Sequence, residues 1–587
     1  MLIIFTLILL LFPHNVFAVD EFKVTNKINY YVELNGSATV KQEISLTNNI
    51  SQIYAKEYQI NLSNTNYQNI KGNDKFGDII ESVTTDKETT TVKVKFSNPT
   101  IGKDQTNQFF ISYSIPEFAK KKGNTWEIQF PVFDTKTDQS EINTILSIPN
   151  TFGELSFSSI PIGNTHLIDN RTQIQFNQTL SKNKVLLIFG NHQLFDIKLN
   201  YSLQNKDNKD IVTKIPLPPD TNNQTVFYKE INPLPSNIVS DKDGNWLAEY
   251  ILKPGQEISV SVIGQVKVHP PTTIERSLEI SGLTEPQVYW PTTDPQIVSI
   301  SQNLQSPQQI YNYVVDTLNY NYEQINYAQR KGATYAINNP NNALCTEFTD
   351  LFVTLARAAN IPAREIEGFA YSNNSKIKPT NTGSDILHAW PEYFDTLKNT
   401  WIQVDPTWEK TTNGIDYFSD LDLNHITFVI HGLDSINPPP PGSYKKDNSE
   451  KSVFVDFAND SLPHNFTPPA ITVVGSNIVI KNPNLYTIPT FSLTLSNIGW
   501  STEVPSMIPY STINIELKPI PFWQQALPNN QKYKFVITQA NDLPPIITNI
   551  TNPNHYLYLS ITAGILIVLL CLGGIILTAN HKHEKNS

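Results

Sequence analysis

Two cysteines and two methionines in 587 residues are very few. The shortage of cysteine excludes a disulfide framework. Cys571 sits inside an apolar run near the C-terminus, which leaves Cys345 with no partner elsewhere in the chain. Outside the cytoplasm cysteines normally pair, so a solitary one is either a small buried hydrophobe or a reactive thiol. Basic residues are also in short supply: 43 Lys and Arg against 54 Asp and Glu give a net charge of −11. That balance argues against a nucleic-acid role, because phosphate binding needs a basic face. Hydrophobic residues, at 39%, are enough to build packed cores. Asn, Thr, Ser, Pro and Tyr are abundant, which suits an exported β-rich protein. Length alone predicts several domains, since single cores stop growing near ~250–300 residues.

Both ends carry targeting patterns. In "MLIIFTLILLLFPHNVFAVD" an apolar core from Leu2 to Phe12 is too short to span a bilayer and is followed by Pro13 and a small-residue site ending at Ala18. Residues 1–18 therefore read as a secretory signal, although no Lys or Arg precedes the core. Tyr556 to Ala579 is an apolar run of 24 residues, long enough for a ~30 Å hydrocarbon core. Tyr556 and Tyr558 mark one interface, while Lys582 and Lys585 place a tail of residues 580–587 in the cytoplasm. The expected localisation is the cell membrane, single-pass, with an extracellular N-terminal ectodomain.

Between these ends the hydrophobic period changes twice. From Val19 to about Pro270, short alternating runs such as "INYYVELNGSATVKQEISL", "TTTVKVKFS" and "KVLLIFG" are separated by turn residues. This pattern predicts two β-sandwiches, at 19–190 and 191–286, the second with a hairpin at Asp243-Gly244. Residues 287–435 then read as an α+β domain, opening with a helix capped by Ser306-Pro307. The Pro-rich segment 436–451 reads as a stiff linker. Residues 452–542 predict a third sandwich, and 543–555 a stalk ahead of the membrane.

Chemistry concentrates around Cys345. Phe348, Leu351, Phe352, Leu355, Ala356 and Ala359 recur at helical spacing, and Pro362 stops the helix near Asn360. Cys345 thus stands at the first turn, where free N–H groups and the helix dipole favour an anion. A thiolate is stabilised there, especially beside a histidine. A base and an orienting group are also needed. Downstream, "SDILHAWPEYFD" offers His388 and "WIQVDPTW" offers Asp405, both on expected strands that would pair antiparallel. Each alone is a weak signal: a histidine beside Trp390 is commonly a core residue, and Asp before Pro is commonly a turn former.

Together they resemble the transglutaminase-like superfamily over Ser306 to Trp408. The stretch "CTEFTDLFVTLARAANIPAREIEGF" is similar to that family's cysteine motif, His388-Ala389-Trp390 matches its His-Ala-Trp strand, and Trp401 with Asp405-Pro406-Thr407 matches its Trp and Asp-Pro-Thr. The resemblance implies a papain-like α+β core in which Cys345 is the nucleophile, His388 the base and Asp405 its orienter. It also implies acyl transfer or amide hydrolysis on protein or peptide substrates outside the cell, through a thioester, with no cofactor or metal. Asn360 stands where the family has Gly, and Ala343 where Gly precedes the cysteine by two. No Trp lies between Leu318 and Cys345, so Tyr320 or Tyr322 would supply the oxyanion hydroxyl. Asp416, Asp420 and Asp422 read as a solvated acidic surface. Arg357 and Arg364 are expected to pair with Glu347, Glu365 or Glu367, and Trp390 and Trp401 to be core aromatics. A non-catalytic adhesion or scaffold protein retaining the fold is the rival reading.

Overall fold

The computed structural model describes residues 21–584 except 64–65, 88, 132–139, 177–184, 273–279, 326–328, 373–384, 386, 448–449, 463–465, 476, 497–498, 518–525, 528–531, 540–544 and 553–554. The expected signal segment 1–18, Lys585 and the side chain of Lys582 lie outside the described residues. The chain forms two compact units. One comprises the chain to Asn191 together with Asn413–Asp420, the other His192–Thr412 together with the chain from Leu421.

In the first unit, strands Phe22–Val32 and Ala38–Asn48 pair antiparallel across a turn containing Gly36, at φ 84°. A Cβ on Gly36 would lie 2.2 Å from the Ala119 carbonyl oxygen, so no larger residue fits the turn. Alternation sends Ile28, Tyr30, Val40 and Ile44 to one buried face. These strands lie centrally in an eight-stranded sheet, and two further sheets add Ile60, Val92, Ile128 and Leu187 to the same core.

The second unit begins with two sheets. One orders Gln224–Asn232, Glu257–Val268, Gln193–Gln204 and Val453–Phe457; the other orders Ile211–Leu217, Trp246–Leu252 and Asn237–Ser240. Two expectations are corrected here. Val453–Phe457, expected to open the C-terminal sandwich, instead pairs with Phe195–Leu199. The expected linker 436–451 is docked as well, for the Tyr444 carbonyl accepts from Ser202 N–H at 2.8 Å and its ring packs on Tyr201. The physical reason is the open edge of Gln193–Gln204, whose backbone groups need partners that a returning chain supplies.

The α+β part follows. Helices α1 (Pro295–Ser301), α2 (Pro307–Thr317), α3 (Ala333–Asn338) and α4 (Cys345–Ala358) precede strands β1 (Ala363–Ala370), β2 (His388–Asp395) and β3 (Thr400–Gln403), then helix α5 (Pro406–Thr412) and strand β4 (His425–His431). The antiparallel sheet runs in the order β3-β2-β1-β4. Ser306 caps α2 by accepting from Gln309 N–H at 3.3 Å. On α4 the stripe Phe348, Leu351, Phe352 and Leu355 is wholly buried. The helix ends on Asn360 at φ 61°, with Ile361 N–H donating to the Ala356 carbonyl and Asn360 N–H to that of Arg357, both at 2.9 Å. Asparagine therefore fills the left-handed position usually given to glycine.

The edge strand β4 is held by side-chain amides of the preceding β-sheets. Asn245 donates to the Ile430 carbonyl at 2.8 Å and accepts from Ile430 N–H at 2.7 Å. Gln224 treats Thr427 in the same way, at 2.9 Å in both directions. Ile426 and Phe428 join the apolar core of those sheets. The two arginines are corrected in part. Arg357 donates to three backbone carbonyls, those of Ala363, Glu285 and Gly432, rather than to an acid. Arg364 pairs with Glu392. Arg330, not singled out in the sequence, takes Asp350 and Glu365.

A C-terminal part packs two small sheets around Ile478, Ile480, Phe491, Leu493 and Phe535. Its edge strand Ile546–Thr551 pairs with Lys532–Ile537, which corrects the expected stalk at 543–555. The alternation in "IITNIT" is what a half-covered strand requires. Helix His555–Glu584 follows, and its described stretch His555–Gly573 is long and apolar enough to cross a membrane. The Asn245 clasp has a measurable consequence. Asn245→Ala strands the N–H and carbonyl of Ile430 and is expected to cost ~2–4 kcal/mol in guanidinium unfolding, whereas Asn237→Ala, on the neighbouring strand, should cost far less.

Candidate active site

Cys345 is the first residue of α4, half-buried, with Leu344 in extended conformation before it. The first-turn N–H groups of a helix have no intrahelical acceptor, so the thiol lies beside free donors. Glu347 steadies this end by accepting from Leu344 N–H at 3.0 Å and Lys331 N–H at 3.2 Å. One turn on, Asp350 is held by Arg330 and by the Trp290 indole N–H at 2.8 Å. The helix that begins at Cys345 is thus anchored by polar bonds along its first two turns.

His388 opens β2 and is 2% exposed. Its ring stacks between the indoles of Trp390 and Trp408, with centroids 5.7 and 5.4 Å away. Gly368, paired with His388 across the sheet, makes this packing possible. A Cβ there would fall 2.0 Å from the Ile426 carbonyl oxygen and 2.9 Å from the Trp390 ring. Nε2 of His388 lies 2.8 Å from Asp405 Oδ2. Nδ1 is left on the other side of the ring, and the Cys345 thiol is near enough to the imidazole to help raise its pKa.

Asp405 is wholly buried, and its placement corrects one expectation. It lies between β3 and α5 rather than on a strand. Its Oδ1 accepts from Trp408 N–H at 3.0 Å, so the carboxylate caps α5 while Oδ2 serves histidine. Its carbonyl accepts from the Tyr311 hydroxyl at 3.0 Å. The turn-forming habit of Asp before Pro and the orienting role therefore coexist in one side chain.

Burial alone would lower the His388 pKa. The charge and hydrogen bond of Asp405, helped by Cys345, instead raise it to about 9. Burial would likewise raise that of Asp405, but His388 and a second imidazole, His425, pull it well below the usual carboxylate range. His425 was not apparent in the sequence. Its Nε2 lies 3.2 Å from Asp405 Oδ2 and its Nδ1 2.8 Å from Asp422 Oδ1. Asp422, expected on a solvated surface, is 2% exposed, whereas Asp420 is exposed as expected. The β1–β4 register shifts between Glu367 and Gly368, so that His425 pairs with Ala370, two residues on from the partner of His388. His388, Asp405 and His425 present donor atoms within 4.8 Å of one another. Hydrogen bonds already fill those gaps, and a metal there would have to displace both imidazole–carboxylate contacts.

Of the two tyrosines considered for the oxyanion, Tyr320 is the one at the site. Burial and then the charge of Cys345 keep its phenol protonated far above the usual range. Tyr322 is 43% exposed and packs edge-on against Tyr320. Trp390 and Trp401 are buried, as expected.

A cysteine heading a helix, beside a histidine on the adjoining sheet that is hydrogen-bonded to an aspartate, is the arrangement found in papain-like cysteine folds. Residues 292–406 match the family model of the Transglutaminase-like superfamily, so this part of the chain is a transglutaminase-like domain. Among solved structures the chain is similar to a candidate cysteine protease from Cytophaga hutchinsonii, at 17% identity and TM-score 0.32, covering 48% of this chain and 94% of that one. It is also similar to the periplasmic domain of TgpA from Pseudomonas aeruginosa bound to ethylmercury, at 13% identity and TM-score 0.23, covering 39% and 94%. An M1 zinc metallopeptidase from Deinococcus radiodurans matches at 9% identity and TM-score 0.20, covering 29% of this chain and 42% of that one. At such scores these likenesses carry no argument here. No curated protein matches the chain.

The two shifts fix a stability window. His388, raised to about 9, contributes stability that is full below its ordinary pKa of ~6.5 and lost as pH rises through about 9. Asp405, depressed, contributes above ~3.9 and loses that contribution as pH falls. The melting temperature of the wild type relative to His388→Gln should therefore be highest between about pH 4 and 6.5 and shrink toward about pH 9 and above.

Proposed function

We propose that this transglutaminase-like domain is a thiol acyltransferase or amidohydrolase displayed at a cell surface by the C-terminal helix, with the preceding β-rich parts as β-sandwich modules. The observation that carries the reading is Cys345 at the head of α4, close enough to His388 on β2 to raise its pKa, with the imidazole bonded to Asp405, which caps α5. A solvated or purely structural cysteine has no need of an imidazole so oriented.

In the reaction, the Cys345 thiolate attacks the carbonyl carbon of a Gln carboxamide or peptide amide. The oxyanion is met by first-turn N–H groups of α4 and by the Tyr320 hydroxyl. His388, as imidazolium, gives its proton to the departing amine, and a thioester remains on sulfur. Neutral His388 then takes a proton from water or an incoming amine as that nucleophile attacks the thioester. Sulfur leaves as thiolate, and the product is an acid or a new amide. Asp405 holds the imidazole in the required orientation throughout.

Incubation with a glutamine peptide and a labelled primary amine, read by mass spectrometry, tests this. Amine incorporation or deamidation is expected, and Cys345→Ala should abolish it. Activity that survives Cys345→Ala, or no turnover of either kind by the wild type, sinks the enzymatic reading in favour of a scaffold. Tyr320→Phe is expected to slow turnover by roughly 10²-fold while Cys345 alkylation changes little.

A further inference from the structure

His425 shares Asp405 with His388. Both rings direct Nε2 at the same oxygen, Oδ2, at 2.8 Å for His388 and 3.2 Å for His425. The remaining nitrogen of His425 lies 2.8 Å from Asp422 Oδ1. A ring with a carboxylate oxygen at each nitrogen must donate from both, and an imidazole that donates from both is a cation. Asp422 is held as an acceptor in its own right, since Oδ1 also takes Asn424 N–H at 3.0 Å. His425 is 4% exposed, Asp422 2% and Asp405 0%. Burial opposes a charge on His425, but Asp422 and Asp405 together raise its pKa.

Asp422 approaches from the turn ahead of β4 and Asp405 from the turn ahead of α5, while His388 on β2 has its ring centre 5.8 Å away. Trp390 and Trp408 pack on the ring at 5.0 and 4.4 Å. The residue paired with His425 on β1 is Ala370, which is uncharged.

The acyl-transfer reading above, on which this inference rests, requires His388 to change charge twice per turnover. A histidine alone with a wholly buried carboxylate holds its proton tightly, which suits the ion pair but hinders the step in which it must act as a base. We propose that His425 is a fixed buried cation, locked by Asp422, that offsets part of the Asp405 charge and so keeps His388 able to release and regain its proton. His425 is a positioning residue, acting on His388 through the Asp405 oxygen they share. Unlike His388 it keeps its charge through the cycle, so Asp405 stays ionised when His388 is neutral.

The test is alkylation of Cys345 by iodoacetate in the detergent-solubilised full chain, followed from about pH 5 to about pH 11. The anionic reagent is drawn by the His388 imidazolium, so the wild-type rate falls along an alkaline limb near the His388 pKa of about 9. His425→Gln keeps a donor toward Asp405 and removes the charge, so the limb should move up by ~1 pH unit or more. Asp422→Asn, a milder change, should move it in the same direction by less, and Asp416→Asn should leave it in place. A merely structural role would lower the melting temperature or the amplitude without moving the limb. A limb that stays put or moves down in the folded His425→Gln and Asp422→Asn proteins overturns the assignment. A wild type with no limb at all removes the ion pair itself, and then the proposed function fails first.

Discussion

A carboxylate taken out of water needs compensation on its lone pairs, and that of Asp405 receives it from three donors, while a fourth holds its backbone. Backbone N–H of Trp408 takes one oxygen, two imidazoles share the other, and the Tyr311 hydroxyl fixes the residue's own carbonyl. Each donor comes from a different element: α5, β2, β4 and α2. One buried residue, through its charge and its carbonyl, thus ties together four pieces of chain. An unpaired charge at this depth would cost several kcal/mol, so the arrangement holds as a whole or not at all.

The rest of the domain follows from placing sulfur and imidazole against that carboxylate. The apolar stripe of α4 seats its first turn, and Arg330 with Trp290 anchors the flank at Asp350. Gly368 removes the side chain that would hold β4 and Trp390 apart. The edge strand bearing His425 is clasped by Asn245 and Gln224 from the adjoining β-sheets. Those sheets are therefore more than a tether for the domain, because they complete the hydrogen bonding of one wall of its sheet.

Much of this was legible in the residue order. The helix after Cys345, its stop at Asn360, the cap at Ser306 and the alternating strands all follow from local rules, because periodicity, capping and positive φ are properties of short segments. The candidate trio was legible as well, through its resemblance to a known family. What local rules missed involved partners distant in sequence. Val453–Phe457 and the docked residue Tyr444 answer an open strand edge some 250 positions earlier. The arginines looked like partners for nearby acids, yet Arg357 satisfies three carbonyls drawn from three separate segments.

The sequence by itself determined which side chains are candidates for chemistry, because a lone cysteine at a helix start, a histidine and an aspartate before proline are chemical identities. Tertiary structure alone decided which way the histidine and the aspartate shift in their protonation. His425 reads as an ordinary residue until the register of the sheet sets it against Asp405, and Asp422 until it takes the other nitrogen of that ring. Register and burial set pKa, and neither is a property of any short stretch of chain.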